Sequence, residues 1–401
     1  MTLRNPLRIA RAAAALAAAL AVTTACTSAA STPQVKPGGR SFTVAAAGDV
    51  LIHPELVDQA AKDAKKTGRG EAGLDFGPLL AGVKPVISKA DLAICHMETP
   101  VGKPRGPFEG YPEFLVPPQI LTSLKDVGYD TCSTASNHTF DHGLKAVRRT
   151  LNAMDEAGLG HTGSARTPEE AERVAIRDVN GVKVAHLSYS WMSFLNPTPE
   201  KQKWAFNQIS TDAVKKAEAR ARAKGAEVVI LSVHWGLEHY NEPSVPQIEL
   251  AERLTTETGV DLVIGHHAHV VQPIQKVNGT WVAYSLGNQV ARHSSPTGLT
   301  EEGAIGWFRF RETTDGWDVS ARYAPTLVDI PPEVETGEKP PAGAVEDHRL
   351  VDVRRVLQTP GDLSEDRLAR YRLAADRTRG FLFNRGAPGG DGLRELTLER
   401  D

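Results

Sequence analysis

The chain has little cysteine. Three occur in 401 residues, Cys26, Cys95 and Cys132, and none has the close pairwise spacing of a zinc–thiolate site. No apolar run of 18 or more residues follows residue 30, which excludes an internal membrane-spanning helix. Charge of one sign is also missing: 46 Lys and Arg stand against 49 Asp and Glu, and no basic block appears beyond the N-terminus. Nucleic acid is therefore not expected as a partner. There is no internal repeat, so a solenoid is excluded. With 41% hydrophobic residues the chain has enough apolar matter for a real core.

The N-terminus has the pattern of an export signal. Arg4, Arg8 and Arg11 precede an apolar stretch over 12–22, and Thr23-Thr24-Ala25-Cys26 closes it. Residues 1–26 are expected to be the signal peptide, with Cys26 in the position of an acylated lipoprotein cysteine. The chain would then be anchored through a lipid to the outer face of the cytoplasmic membrane. The alternative is a secreted protein cut near residues 25–30. Residues 27–40, with Pro33, Pro37 and Gly38-Gly39, are expected to form a flexible tether.

The body, residues 41–330, alternates strand and helix patterns. Helices are expected over 54–66, 76–89, 118–127, 144–157, 211–224 and 246–258, with Thr211 or Ser210 capping the fifth. Asn180-Gly181 and Asn278-Gly279 signal two tight hairpins, and Asp315-Gly316 a third between strands over 303–311 and 317–328. This alternation with added hairpins predicts an α/β fold of mixed sheets flanked by helices. Residues 331–344 are rich in Pro, Gly and Glu and predict a linker; 346–357 and 363–382 follow as a helical tail, the second capped by Ser364 or Asp362. Cys95 and Cys132 are expected as buried free thiols in two strands, a disulfide being open to them only if those strands are neighbours.

The richest stretch is Gly265-His266-His267-Ala268-His269, three imidazoles directly after an apolar run. The same arrangement recurs. Apolar runs end in Gly48-Asp49, with His53 behind; in His96-Met97-Glu98; in Ser136-Asn137-His138, with Asp141 behind; in His234-Trp235-Gly236; and in Gly287-Asn288. Polar groups at so many strand ends predict one site gathered on one edge of a sheet core. The inventory is Asp49, His53, Glu98, Asn137, His138, His234, His266, His267 and His269. Carboxylates and imidazoles without thiolate suit two divalent transition metals, Mn, Fe or Zn. Asp49 or Glu98 is the natural bridge between them. His138 faces away from Asn137 and is the candidate general acid, with Asp141 orienting it. His96, His266 and Asn288 are candidates for supporting roles behind the ligands.

The motifs Gly48-Asp49, Met97-Glu98-Thr99-Pro100, Ser136-Asn137-His138, His234-Trp235-Gly236, the histidine cluster through Gln272, and Tyr284-Ser285-Leu286-Gly287-Asn288 together resemble the CapA family of capsule and poly-γ-glutamate synthesis proteins. That family is similar to the calcineurin-like metallophosphoesterases. The resemblance implies a four-layer αββα sandwich with a two-metal site. It places Asp49, Glu98, Asn137, His234, His267 and His269 at ligand positions and His138 at the catalytic histidine. Leu51 stands where the superfamily has a histidine two after the aspartate, and His53 lies four after it. His96-Met97 replaces a usual Asn-Leu.

The expected function is that of an exported, metal-dependent hydrolase in capsule or poly-γ-glutamate synthesis or export, cleaving a phosphoester, amide or ester bond. Its partners would be an anionic polymer or phosphorylated substrate, and a membrane synthase complex. A non-catalytic polymer-binding scaffold is the alternative, and an extracytoplasmic phosphatase a further one.

Overall fold

The computed structural model describes residues 34–191, 196–293, 297–333, 341, 343–385 and 392–397. The expected signal peptide, Cys26 and residues 27–33 of the expected tether lie outside them. In chain order the strands are β1 (Ser41–Val50), β2 (Leu92–Met97), β3 (Thr131–Ser133), β4 (Gly160–Thr162), β5 (Ala175–Val179), β6 (Val182–Ser190), β7 (Val228–His234), β8 (Leu262–His266), β9 (Ile274–Val277), β10 (Thr280–Ala283), β11 (Asn288–Val290), β12 (Glu302–Thr313), β13 (Gly316–Asp329), β14 (Arg349–Asp352) and β15 (Arg394–Glu395).

They form two mixed sheets. The first runs β14-β13-β12-β1-β2-β3-β4, with β11 beside β1 and β15 beside β13; the second runs β5-β6-β7-β8-β10-β9. Strands β1 to β4 are mutually parallel, as are β6, β7, β8 and β10. The added hairpins turn at Asn180-Gly181 and Asn278-Gly279, both residues of each pair having positive φ.

Alternation along the strands builds the layers. Phe42, Val44 and Ala46 of β1 pack with Leu262 and Ile264 of β8 between the sheets. Ala45 and Ala47 face the other way, onto Leu56, Leu79 and Leu151 of the helices over the first sheet. Val263 of β8 and Val229 of β7 face Val214, Leu250 and Leu254 of the helices over the second. The result is the four-layer αββα sandwich.

Most helices lie where periodicity places them, at Pro54–Thr67, Gln119–Val127, Gly143–Glu156, Thr211–Ala223 and Val245–Glu257. Ser210 caps the fourth of these through Ala213 N–H, and Ser244 with Gln247 forms a capping box on the fifth.

Three expectations are corrected. The helix over 76–89 is broken into Gly77–Leu80, a 3-10 turn Ala81–Val83, and Lys84–Ile87. Pro85 cannot donate the helical bond, and Gly82 lies so near β14 that an added Cβ would sit 2.3 Å from the Leu350 carbonyl. The helix over 346–357 is instead β14 followed by a short helix, Val353–Gln358, capped by Asp352. Pairing with β13 overrides its helical pattern. β14 extends the first sheet, and the second helix of the stretch lies near its expected place, Glu365–Leu382 capped by Ser364, and buries Tyr371 and Ala374 against Leu327 and Val353. Cys95 and Cys132 are not free thiols. They are register partners in the adjacent parallel strands β2 and β3 and form a disulfide.

Candidate functional site

Parallel strands that start together end together, so the loops after β1, β2, β3, β7 and β8 converge on one edge. Close approach makes this possible. Gly48 packs so tightly that a Cβ would sit 2.0 Å from the Gly287 carbonyl, and Gly265 so tightly that one would sit 1.9 Å from the Tyr284 carbonyl.

Asp49, at the end of β1, is fully buried. Its Oδ1 lies 3.0 Å from His266 Nδ1, and its Oδ2 accepts the His267 backbone N–H at 3.0 Å and lies 3.3 Å from His269 Nδ1. Glu98, after β2, is buried among His234, His267, His269 and Asp49. One ligand atom each from Glu98, His234 and His267 falls within 4.8 Å of the others, and the same holds for Asp49, Glu98 and His269. Glu98 thus belongs to two groups at once. Asn137 Oδ1 lies 3.0 Å from His234 Nε2. Asn288 Oδ1 lies 3.0 Å from His269 Nδ1.

The charges are strongly perturbed. Burial and the nearby Asp49 carboxylate push Glu98 well above the usual carboxyl range, opposed by His269. Burial would also raise Asp49, but bonds from His266 and His269 hold it well below that range. Burial alone would depress His269; Glu98 and Asp49 outweigh it and lift the imidazole to about 10. Burial pushes His267 down to about 4 and drives His96 and His234 well below the usual histidine value.

These residues fit metal ions. Both Glu98 carboxylate oxygens are buried without a hydrogen-bond partner, as are His266 Nε2 and His267 Nδ1. Orphaned buried acceptors of this kind cost about 1–3 kcal/mol or more each unless something satisfies them. A donor set of carboxylate, amide oxygen and imidazole suits a divalent transition metal.

Two supporting contacts stand behind the ligands. His96 Nε2 lies 3.0 Å from His234 Nδ1, and its Nδ1 lies 2.7 Å from Ser133 Oγ. This fixes which His234 nitrogen faces Asn137 and Glu98. His96 and His266 also stack at 4.1 Å, and with Asp49 they form a third close group. His138 Nδ1 lies 2.7 Å from Asp141 Oδ2, which also accepts the Phe114 N–H at 2.8 Å.

His53 is placed differently from the other candidates. Its Nδ1 accepts the Arg292 N–H at 3.2 Å, its ring lies beside His293 and Phe114, and it enters none of the close ligand groups. Burial pushes it down to about 4. Three residues that sequence reasoning passed over lie at the site: His293, next to Asn288 and His269; His239, beside His293; and Glu238, grouped with His267 and His269. Glu238 follows the recognised His234 by four, and that spacing was its only signal.

A family model described as bacterial capsule synthesis protein PGA_cap matches residues 43–293, which span every strand end described above. The chain belongs to this family. Curated members include the PGA biosynthesis protein CapA of Bacillus subtilis, 28% identical over 52% of this chain and 55% of that protein. The capsule biosynthesis protein CapA of Bacillus anthracis is 30% identical over 43% of this chain and 42% of that protein. The matched stretch therefore spans about half the length of these relatives. Among solved structures, the calcineurin-like phosphoesterase YfkN of Bacillus subtilis is similar at a TM-score of 0.43 and 15% identity, over 86% of this chain and 100% of that one. A phosphatase of Mycoplasma pneumoniae is similar at 0.43 and 11%, over 72% and 94%. Among the described residues no helix is long and apolar enough to cross a membrane.

Proposed function

We propose that this family member is an exported metal-dependent hydrolase with a dinuclear site, acting on an anionic polymer in capsule or poly-γ-glutamate synthesis or export. One observation carries the reading: Glu98, buried and without a hydrogen-bond partner, is shared between the Asp49–His269 group and the His234–His267 group. Two such groups around one carboxylate support a bridged pair of sites.

Asp49, Glu98 and His269 would hold one ion, and Glu98, Asn137, His234 and His267 the other. Two bound ions supply a water nucleophile at neutral pH and Lewis-acid stabilisation of developing negative charge. The protein's own part is acid–base and positional. His138, with Nδ1 turned to Asp141 at 2.7 Å, presents Nε2 for a proton to the leaving group, and the Asp141 contact holds the ring in that orientation. Asp49 takes the His267 amide and fixes the histidine loop against β1.

The bond is a phosphoester, an amide or an ester. The test is a screen of the Mn-, Fe- and Zn-supplemented full chain on phosphomonoesters, phosphodiesters and γ-glutamyl polymer, beside a His138→Gln variant. Turnover of one class, lost in the variant, supports the reading. No turnover by any loaded form leaves the scaffold role. The membrane anchor is a separate proposal: Cys26→Ala is expected to move the protein from the membrane fraction to the soluble one.

A further inference from the structure

Glu238 stands in the loop after β7 and is exposed, yet one of its carboxylate oxygens lies within 4.8 Å of ligand atoms of both His267 and His269. Those two imidazoles belong to different halves of the candidate centre, His267 with Glu98 and His234, His269 with Asp49 and Glu98. Glu98 meets them from the buried side. Glu238 meets the same two from solvent.

This position is built. The Trp235 N–H bonds to the His266 carbonyl at 3.2 Å, and the His239 N–H to the Ala268 carbonyl at 2.7 Å. Beyond Glu238, the Asn241 side chain donates to the Val271 carbonyl and the Gln272 side chain to the Tyr240 carbonyl, each at 2.8 Å. The loop carrying Glu238 is therefore stitched to the histidine loop on both sides of the carboxylate. Holding it there uses uncommon backbone. His239, His267 and His269 have φ of 66°, 93° and 56°. Side chains rarely adopt such values, and the cost, of order 1–3 kcal/mol each, is tolerated chiefly where function needs the geometry.

The chemistry of the donor set asks for such a group. Among the described residues, the Asp49–Glu98–His269 group offers two carboxylates and one imidazole, with Glu98 shared. The buried His267 Nδ1 has no hydrogen-bond partner on the protein. Two divalent ions facing only two carboxylates retain excess positive charge on the open side, where an anionic substrate must arrive and leave. A third carboxylate there lowers that excess and adds a donor without closing the entrance.

We infer that Glu238 is a ligand of the metal centre, closing it from the solvent side opposite Glu98. This rests on the dinuclear reading above, and the test separates the two. Metal stoichiometry and Kd are measured by elemental analysis and chelator competition with Mn2+ and Zn2+, on full-length wild type, Glu238→Gln and Glu238→Asp. The melting temperature of each metal-free protein is recorded alongside. Because Glu238 is exposed, the metal-free melting temperature is expected to stay the same. Kd for one equivalent is expected to rise roughly 10- to 100-fold in Glu238→Gln. Glu238→Asp keeps the charge and shortens the reach, so a comparable rise identifies ligation, whereas wild-type affinity in Glu238→Asp reduces the effect to long-range charge and overturns the inference. Unchanged affinity in Glu238→Gln overturns it too. A wild type that binds no metal overturns the dinuclear reading itself.

Discussion

His138 Nδ1 and Asp141 Oδ2 lie 2.7 Å apart, both side chains buried, in the loop after β3. The pair predicts a graded loss of activity. His138→Gln is expected to lower kcat roughly 10²- to 10⁴-fold, the usual worth of a positioned acid. Asp141→Asn is expected to cost less. Neither side chain belongs to the close ligand groups, so bound metal, read by elemental analysis, is expected to stay at the wild-type level. Loss of metal in both variants would contradict the assignment.

His96 is the contact behind His234. His96→Phe keeps a ring to stack on His266 and removes the bond to His234 Nδ1. Metal affinity is expected to fall roughly 10- to 100-fold, measured by chelator competition, with KM for substrate changing less than metal Kd.

The Cys95–Cys132 bridge joins the two strands that deliver Glu98 and Asn137, over a separation of 37 residues. Digestion without reductant is expected to yield the linked peptide. Cys95→Ala/Cys132→Ala is expected to lose about 2–4 kcal/mol of stability, read by denaturant unfolding. Unbridged peptides from unreduced protein would contradict this.

Arg40 ties the start of the body to β12 and β7 through Glu312 and Glu227. Bonds from Arg40, with help from Lys36, hold the Glu312 carboxyl down to about 2. A carboxyl lowered in the folded state stabilises above its unfolded value of about 4.3 and loses that contribution as pH falls toward 2. Metal-free wild type is therefore expected to lose more melting temperature between pH 5 and pH 2.5 than Glu312→Gln does. Parallel losses would contradict the prediction.

Much of the site was legible because it depends on local pattern. Asp49, Glu98, Asn137, His234, His267 and His269 each follow an apolar strand, and parallel strands bring their ends to one edge whatever the strand order. The four-layer sandwich was legible only through the family resemblance, since β7 and β8 are continuous apolar runs, buried throughout. What depends on strand order was not legible. Cys95 meets Cys132 only because β2 and β3 are neighbours, and His96 meets His234 only because the two sheets face each other. Residues 346–357 carry a helical pattern, and the open edge of β13 decides otherwise. Glu238 lies in an aperiodic loop placed by tertiary hydrogen bonds. His53 is set by what surrounds the start of the first helix: its ring lies beside Phe114 and His293 and outside the close ligand groups.

The most direct test of the central claim is the metal content of the purified full chain, measured by elemental mass spectrometry for wild type, Glu98→Gln and His267→Ala/His269→Ala. The account predicts two transition-metal ions per wild-type chain, with both lowered in Glu98→Gln because that carboxylate is shared, and none in the double variant. A folded wild type that stays metal-free after supplementation with Mn, Fe and Zn would contradict it.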